Sequence, residues 1–156
     1  MPLHMSNERI VIDISIFVMC MLFSSFAIAA PPTVDPCSLV TKSEVEQIIG
    51  KLKAMPTSDK EGAAAWCNYE FADDKNAFEV WVFPADGIDR AKKQAKKQTA
   101  VKGLGDDAFL TRGMHGLDYV DLFIKKGSVT VKLSLKEAAG DEDKLRKLAA
   151  TAVKRL

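Results

Sequence analysis

Leu117-Asp118-Tyr119-Val120-Asp121-Leu122-Phe123-Ile124-Lys125, Lys126-Gly127, Ser128-Val129-Thr130-Val131-Lys132-Leu133-Ser134-Leu135 is the stretch that decides the fold. Two β-rich runs flank a short turn containing glycine, which reads as a hairpin. In the second run Val129, Val131, Leu133 and Leu135 alternate with Thr130, Lys132 and Ser134. That pattern predicts a half-buried strand with one apolar and one wet face. In the first run Val120, Leu122 and Ile124 oppose Tyr119, Asp121 and Phe123.

Upstream, the pattern repeats. Trp66 to Ala72 and Ala77 to Phe83 flank Asp73-Asp74-Lys75-Asn76 and predict an earlier hairpin, with Phe78, Val80 and Val82 opposing Glu79, Trp81 and Phe83. Asp107 to Thr111 reads as a short strand, Lys51 to Met55 as a short edge strand, and Pro56 to Gly62 as a polar loop. Three helices interrupt these runs. The first opens with Thr41 as N-cap and Glu44 three residues on, with Val40 and Val45 spaced as a hydrophobic staple. The second is Ile88 to Ala100, rich in good helix formers. The third opens at Gly140-Asp141 and keeps Leu145, Leu148, Ala149, Ala152, Val153 and Leu156 at helical spacing. The expectation is a single α+β domain, with an antiparallel sheet of five or six strands and helices packed mainly on one face.

The N-terminus reads differently. Arg9 precedes an apolar run, Ile14 to Phe26, shorter than the roughly 20 residues needed to span a bilayer. Ala27-Ile28-Ala29 follows, so residues 1–29 read as a secretory signal peptide cleaved before Ala30. Residues 30–36 form a leader and 37–156 the exported domain, periplasmic or secreted, with no stable membrane anchor after cleavage. Removing the signal removes Cys20 and leaves Cys37 and Cys67 as one disulfide pair in an oxidising compartment. With 22 basic against 21 acidic side chains the chain is close to neutral, which argues against a nucleic-acid partner.

Asp35-Pro36-Cys37 before the first helix, Cys67-Asn68-Tyr69 in a strand and Gly103-Leu104-Gly105-Asp106-Asp107-Ala108-Phe109 occur in that order along the exported chain. This pattern resembles a group of bacterial exported domains, many of them lipoproteins of unknown function. It is also similar to the extracellular sensor domains of some bacterial Ser/Thr kinases. The resemblance implies a secreted α+β domain with Cys37 and Cys67 as its disulfide. It carries no catalytic residue. The chain departs from the lipoproteins in having no lipidation cysteine.

Nothing in the residue pattern nominates an enzyme. Gly103-Leu104-Gly105 has a helix before it and a strand after it, the reverse of a dinucleotide loop, so it reads as a turn closed locally by Asp106. His115 lies in a turn without an evident nucleophile. No metal or cofactor set is present: there is no C-x-x-C, and His115 is the sole histidine after the signal. Asp73-Asp74, Asp106-Asp107 and Asp141-Glu142-Asp143 suit turns and a helix start better than a cleft of facing carboxylates.

Two binding surfaces are candidates. Arg90, Lys92, Lys93, Lys96 and Lys97 crowd the second helix, either as a solvated face or as a contact for an anionic partner. Trp66, Trp81, Phe83, Tyr119 and Phe123 fall on the sheet face away from the aliphatic stripe. Aromatics interleaved with charge suit recognition; the alternative is that a loop or the second helix covers them as a second small core. The leading expectation is a non-enzymatic module for a small ligand, peptide or glycan. A protein-directed inhibitor or immunity-type envelope factor is the alternative, with a hydrolase behind it.

Overall fold

The computed structural model describes residues 34–73, 75–114, 118–136 and 142–156. The expected signal peptide, most of the expected leader, Asp74, His115 and the expected helix start at Gly140-Asp141 lie outside the described residues.

The chain enters through two short helices. Pro36–Leu39 (α1) is started by Asp35, whose side chain accepts the Cys37 N–H at 3.0 Å, with Pro36 in the first turn where its missing N–H is harmless. Lys42–Ile48 (α2) carries the expected capping box, Thr41 and Glu44 each bonding the other's backbone N–H. Val40 and Val45, the staple, are fully buried.

Among the described residues seven strands follow: Thr57–Glu61 (β1), Ala64–Glu70 (β2), Ala77–Pro84 (β3), Thr99–Ala100 (β4), Asp107–Arg112 (β5), Tyr119–Lys126 (β6) and Val129–Lys136 (β7). They form one antiparallel sheet in the order β1-β2-β3-β7-β6-β5-β4. Gly87–Gln94 (α3) lies between β3 and β4 in sequence, and Glu142–Lys154 (α4) closes the chain. The fold is therefore α+β, with more strands than the pattern suggested.

The sheet has two dissimilar faces. Phe78, Val80, Val82, Val120, Leu122, Ile124, Val131, Leu133 and Leu135 bury one face against Leu39, Val40 and Val45 of the N-terminal segment and Leu145, Leu148, Ala149 and Ala152 of α4. On the other face, Ile88 and Ala91 of α3 pack on Phe109 and Phe123. Helices thus flank both faces, three on the first and α3 on the second. Gly87 lets α3 approach, since a Cβ there would lie 2.8 Å from the Phe83 Cβ.

Cys37 of α1 and Cys67 of β2 form a disulfide, with Cα atoms 5.1 Å apart and a sequence separation of 30. A loop of that size contributes about 3–4 kcal/mol in the chain-entropy account. The cross-link suits an oxidising compartment. At the other end of the chain the Arg155 guanidinium donates to Leu39 O at 2.8 Å and forms a two-pronged pair with Glu44 at 2.7 and 2.8 Å. Arg155 holds the Glu44 carboxyl well below its usual range, to about 2.

Four expectations need correction. Residues 57–61 are an edge strand, not a loop; every side chain on it is exposed, so no apolar alternation marks it. Residues 51–55 contribute only one bridge, Leu52 to Phe71. The helix begun at residues 87–88 stops at Gln94, where Gln98 caps the Lys92 carbonyl and the chain turns to pair Thr99 with Leu110. Sheet pairing there overrides the helix propensity of Ala95 to Gln98. Finally, the wet face of β7 is buried: Thr130, Lys132 and Ser134 are at most 1% exposed, because β7 is the central strand and its second face is covered too.

Candidate functional site

The second face is built by register. Across the strands, Trp66 faces Trp81, Trp81 faces Lys132, Lys132 faces Phe123, and Phe123 faces Phe109. One row therefore reads Trp-Trp-Lys-Phe-Phe. The adjacent row is polar: Asn68, Glu79, Ser134, Asp121 and Thr111 follow one another by the same pairings.

The first row forms two aromatic stacks with a lysine between them. Trp66 and Trp81 stack at 4.7 Å between ring centroids, and Phe83 continues the stack 5.9 Å from Trp81. Phe109 and Phe123 stack at 5.0 Å beneath α3. Between them the Lys132 ammonium sits 4.5 Å from the Trp81 ring centre, in cation–π range. Lys132 is 1% exposed. Burial pushes its pKa down, and Asp121 and Glu79 pull it back up. Asp121 is fully buried and accepts a hydrogen bond from the Ser134 hydroxyl. Glu79 accepts from the Trp81 indole N–H at 2.8 Å, which fixes the ring plane over the ammonium.

Beside this row lies a cleft of about 430 Å³. Phe83, Phe123 and Lys132 form its floor; Ala91, Arg90 and Gln94 of α3 form one wall. Glu61, Ala63 and Ala64, at the β1–β2 turn, and Met114 also line it. The floor is apolar apart from Lys132, and the charges sit on the walls. This is the usual make-up of a small-molecule site, with apolar surface for affinity and few polar groups for orientation.

The anticipated aromatic set is thus divided. Phe83 and Phe123 line the cleft. Trp66 and Trp81 stack next to it without lining it. Tyr119 stands toward the acidic row: burial raises its hydroxyl pKa, reinforced by Glu79, Asp118 and Asp121. Phe123 is 3% exposed and doubles as core under α3, whereas Trp66, Trp81, Phe83 and Tyr119 are half-buried. The helix thus covers the Phe109–Phe123 half of this face as a small second core, and leaves Trp66, Trp81, Phe83 and Tyr119 half-buried.

The basic set does not form one helix face. Arg90 pairs with Asp86 and lines the cleft, and Lys92 is paired with Asp107. Lys93 is exposed on α3; Lys96 and Lys97 lie beyond its end. Sequence reasoning missed Lys132, Glu61, Ala91, Gln94 and Met114 as neighbours of the aromatics. A signal for Lys132 existed: the turn at Lys126-Gly127 fixes the β6–β7 register and sets Lys132 opposite Phe123.

Three carboxylates from the acidic pairs and cluster make structural contacts. Asp73 caps its own turn through the backbone of Lys75 and Asn76. Asp106 accepts the Gly127 N–H at 2.7 Å, so it closes the distant β6–β7 turn rather than its own. Gly105, with φ +62°, sits so close that a Cβ would lie 2.3 Å from Lys125 O. Glu142 pairs with Arg112 at 2.9 Å. Among the described residues no three His, Cys, Asp or Glu cluster as a metal site, and no helix is long and apolar enough to cross a membrane.

No family model, curated protein or solved structure matches this chain.

Proposed function

We propose that this chain is a non-enzymatic binding module, periplasmic or secreted, that takes a small ligand in the cleft between α3 and the second sheet face. The observation that carries this reading is the cleft itself: about 430 Å³ over Phe83 and Phe123, walled by Arg90, Ala91 and Gln94. Sites for small molecules begin at roughly 300 Å³. The floor is rigid because Phe83 and Phe123 belong to strands near the sheet centre and are each stacked on another ring. A pre-formed floor lowers the ordering cost of binding. The disulfide, which suits an oxidising compartment, supports export.

Saturation-transfer NMR with a set of aromatic fragments tests the site. Gln94 is exposed at the end of α3, so Gln94→Trp fills the cleft without disturbing either core. Fragments should bind the native chain and lose their signal with Gln94→Trp, while the circular dichroism of the two proteins coincides. Equal fragment signals with both proteins, or none with either, would reject the cleft.

A further inference from the structure

We infer that the ligand is a monoanion: an acidic head, of carboxylate type, held by Arg90, and a flat apolar body laid over Phe83, beside the buried Phe123. The inference rests on the cleft being the binding site.

Three charged side chains line the cleft: Arg90, Lys132 and Glu61. Their balance favours an anion, but they are not equivalent. The Lys132 ammonium is directed at the Trp81 ring and lies in the field of Asp121 and Glu79. Its charge is largely compensated within the sheet, so it supplies floor rather than a docking point. Arg90 differs. It stands on the α3 wall with its side chain 59% exposed, and its contact with Asp86, at 3.5 Å, involves an equally exposed partner. Such a pair contributes little. A guanidinium has five donors in a planar fork, matched to the two oxygens of a carboxylate. Arg90 can therefore take an acidic head without surrendering a strong bond.

Glu61 sets the direction. It ends β1, the edge strand of the sheet, whereas α3 packs on Phe109 and Phe123 of β5 and β6, so Glu61 joins the cleft lining from the β1 side of the sheet. Its negative charge repels an anionic head from that side and steers it to Arg90. A dianion would place one charge against Glu61, which is why the inference is a single charge. The body is set by the floor: parallel stacking is already the geometry of Trp81 with Phe83 and of Phe109 with Phe123, at interplanar angles of 7° and 8°. A planar ring system extends that arrangement.

Three probes with the same body separate the terms: 2-naphthoate, neutral 2-naphthamide and cationic 2-naphthylmethylamine, titrated into the native chain and into Arg90→Gln, Glu61→Gln and Gln94→Trp. In the native chain, naphthoate should bind about tenfold tighter than the amide, the size of one charge-assisted hydrogen-bond pair, with the amine weakest. Arg90→Gln should erase the naphthoate advantage while leaving the amide unchanged, and Glu61→Gln should tighten naphthoate severalfold. If the amide binds as well as naphthoate, or the preference survives Arg90→Gln, the charge inference is wrong, while a block by Gln94→Trp keeps the cleft. If none of the three binds, or Gln94→Trp blocks nothing, the cleft reading falls as well.

Discussion

Leu133 and Lys132 are neighbours on β7, both buried, on opposite faces of one sheet. Leu133 joins an aliphatic layer closed by α4 and the N-terminal helices. That face needs only apolar area and good packing, each buried Leu or Val contributing about 1.5–3 kcal/mol. Lys132 joins a layer of rings and charges in which every member depends on its neighbours: the ammonium on Trp81, Trp81 on Glu79, Asp121 on Ser134. A polar network of this kind adds little net stability and fails badly when one member is removed. On the proposed reading, the first face holds the fold together and the second takes the ligand.

The sharpest way to break the comparison is to damage each face in turn. Leu133→Ala should cost about 2–5 kcal/mol through lost burial and a cavity, read from urea unfolding. Lys132→Met should cost about 3–5 kcal/mol for a different reason, the buried Asp121 charge left behind. The second loss should be largely recovered in Lys132→Met/Asp121→Asn, and no second substitution of a polar group should recover the first. Additive losses at Lys132 and Asp121 would show that the two are not coupled.

The disulfide comes next. It ties α1 to β2, and through Cys67 it serves the aliphatic face. Replacing both cysteines by serine should cost about 3–4 kcal/mol, visible as a lowered unfolding midpoint, with fragment binding on the second face unchanged. A variant as stable as the parent would remove the disulfide from the account of stability.

Much of this architecture was legible beforehand. The capping box at Thr41–Glu44, the disulfide pair, the strand from Ala77 to Phe83 and the closing hairpin follow from local rules: cap chemistry, cysteine count and a period of two. What was not legible depends on contacts far away in sequence. Strand β1 has no apolar residue because both its faces meet water, and its Asp59, Lys60 and Glu61 suit an edge that must not pair further. The end of α3 is decided by the pull of β5 on Thr99, which propensity does not contain. The burial of Lys132 depends on β7 being central, a property of strand order rather than of alternation. The aromatic face was identified by alternation alone; the cleft was not, because its walls come from α3 and the β1–β2 turn.

Smaller effects sharpen the same picture. Gly105→Ala should cost upwards of about 2 kcal/mol, from the left-handed backbone and the clash with Lys125 O, measured by thermal unfolding; a neutral result would mean the 103–106 turn can move. The Glu44–Arg155 pair should give an acid-sensitive step. Glu44 titrates at about 2 when folded and near 4.5 otherwise, so its contribution is complete above pH 4.5 and fades as pH falls toward 2. Arg155→Met should flatten that part of the stability–pH curve. An unchanged slope would mean the pair does not persist in solution.

The most direct measurement is an aromatic-selective NMR titration of the intact chain with 2-naphthoate. Phe83 and Phe123 should shift most, the Trp81 indole less, and Phe78 and Tyr69 on the aliphatic face not at all. Shifts centred on Phe78 and Tyr69, or no shifts at saturating probe, would contradict a binding role for the second face.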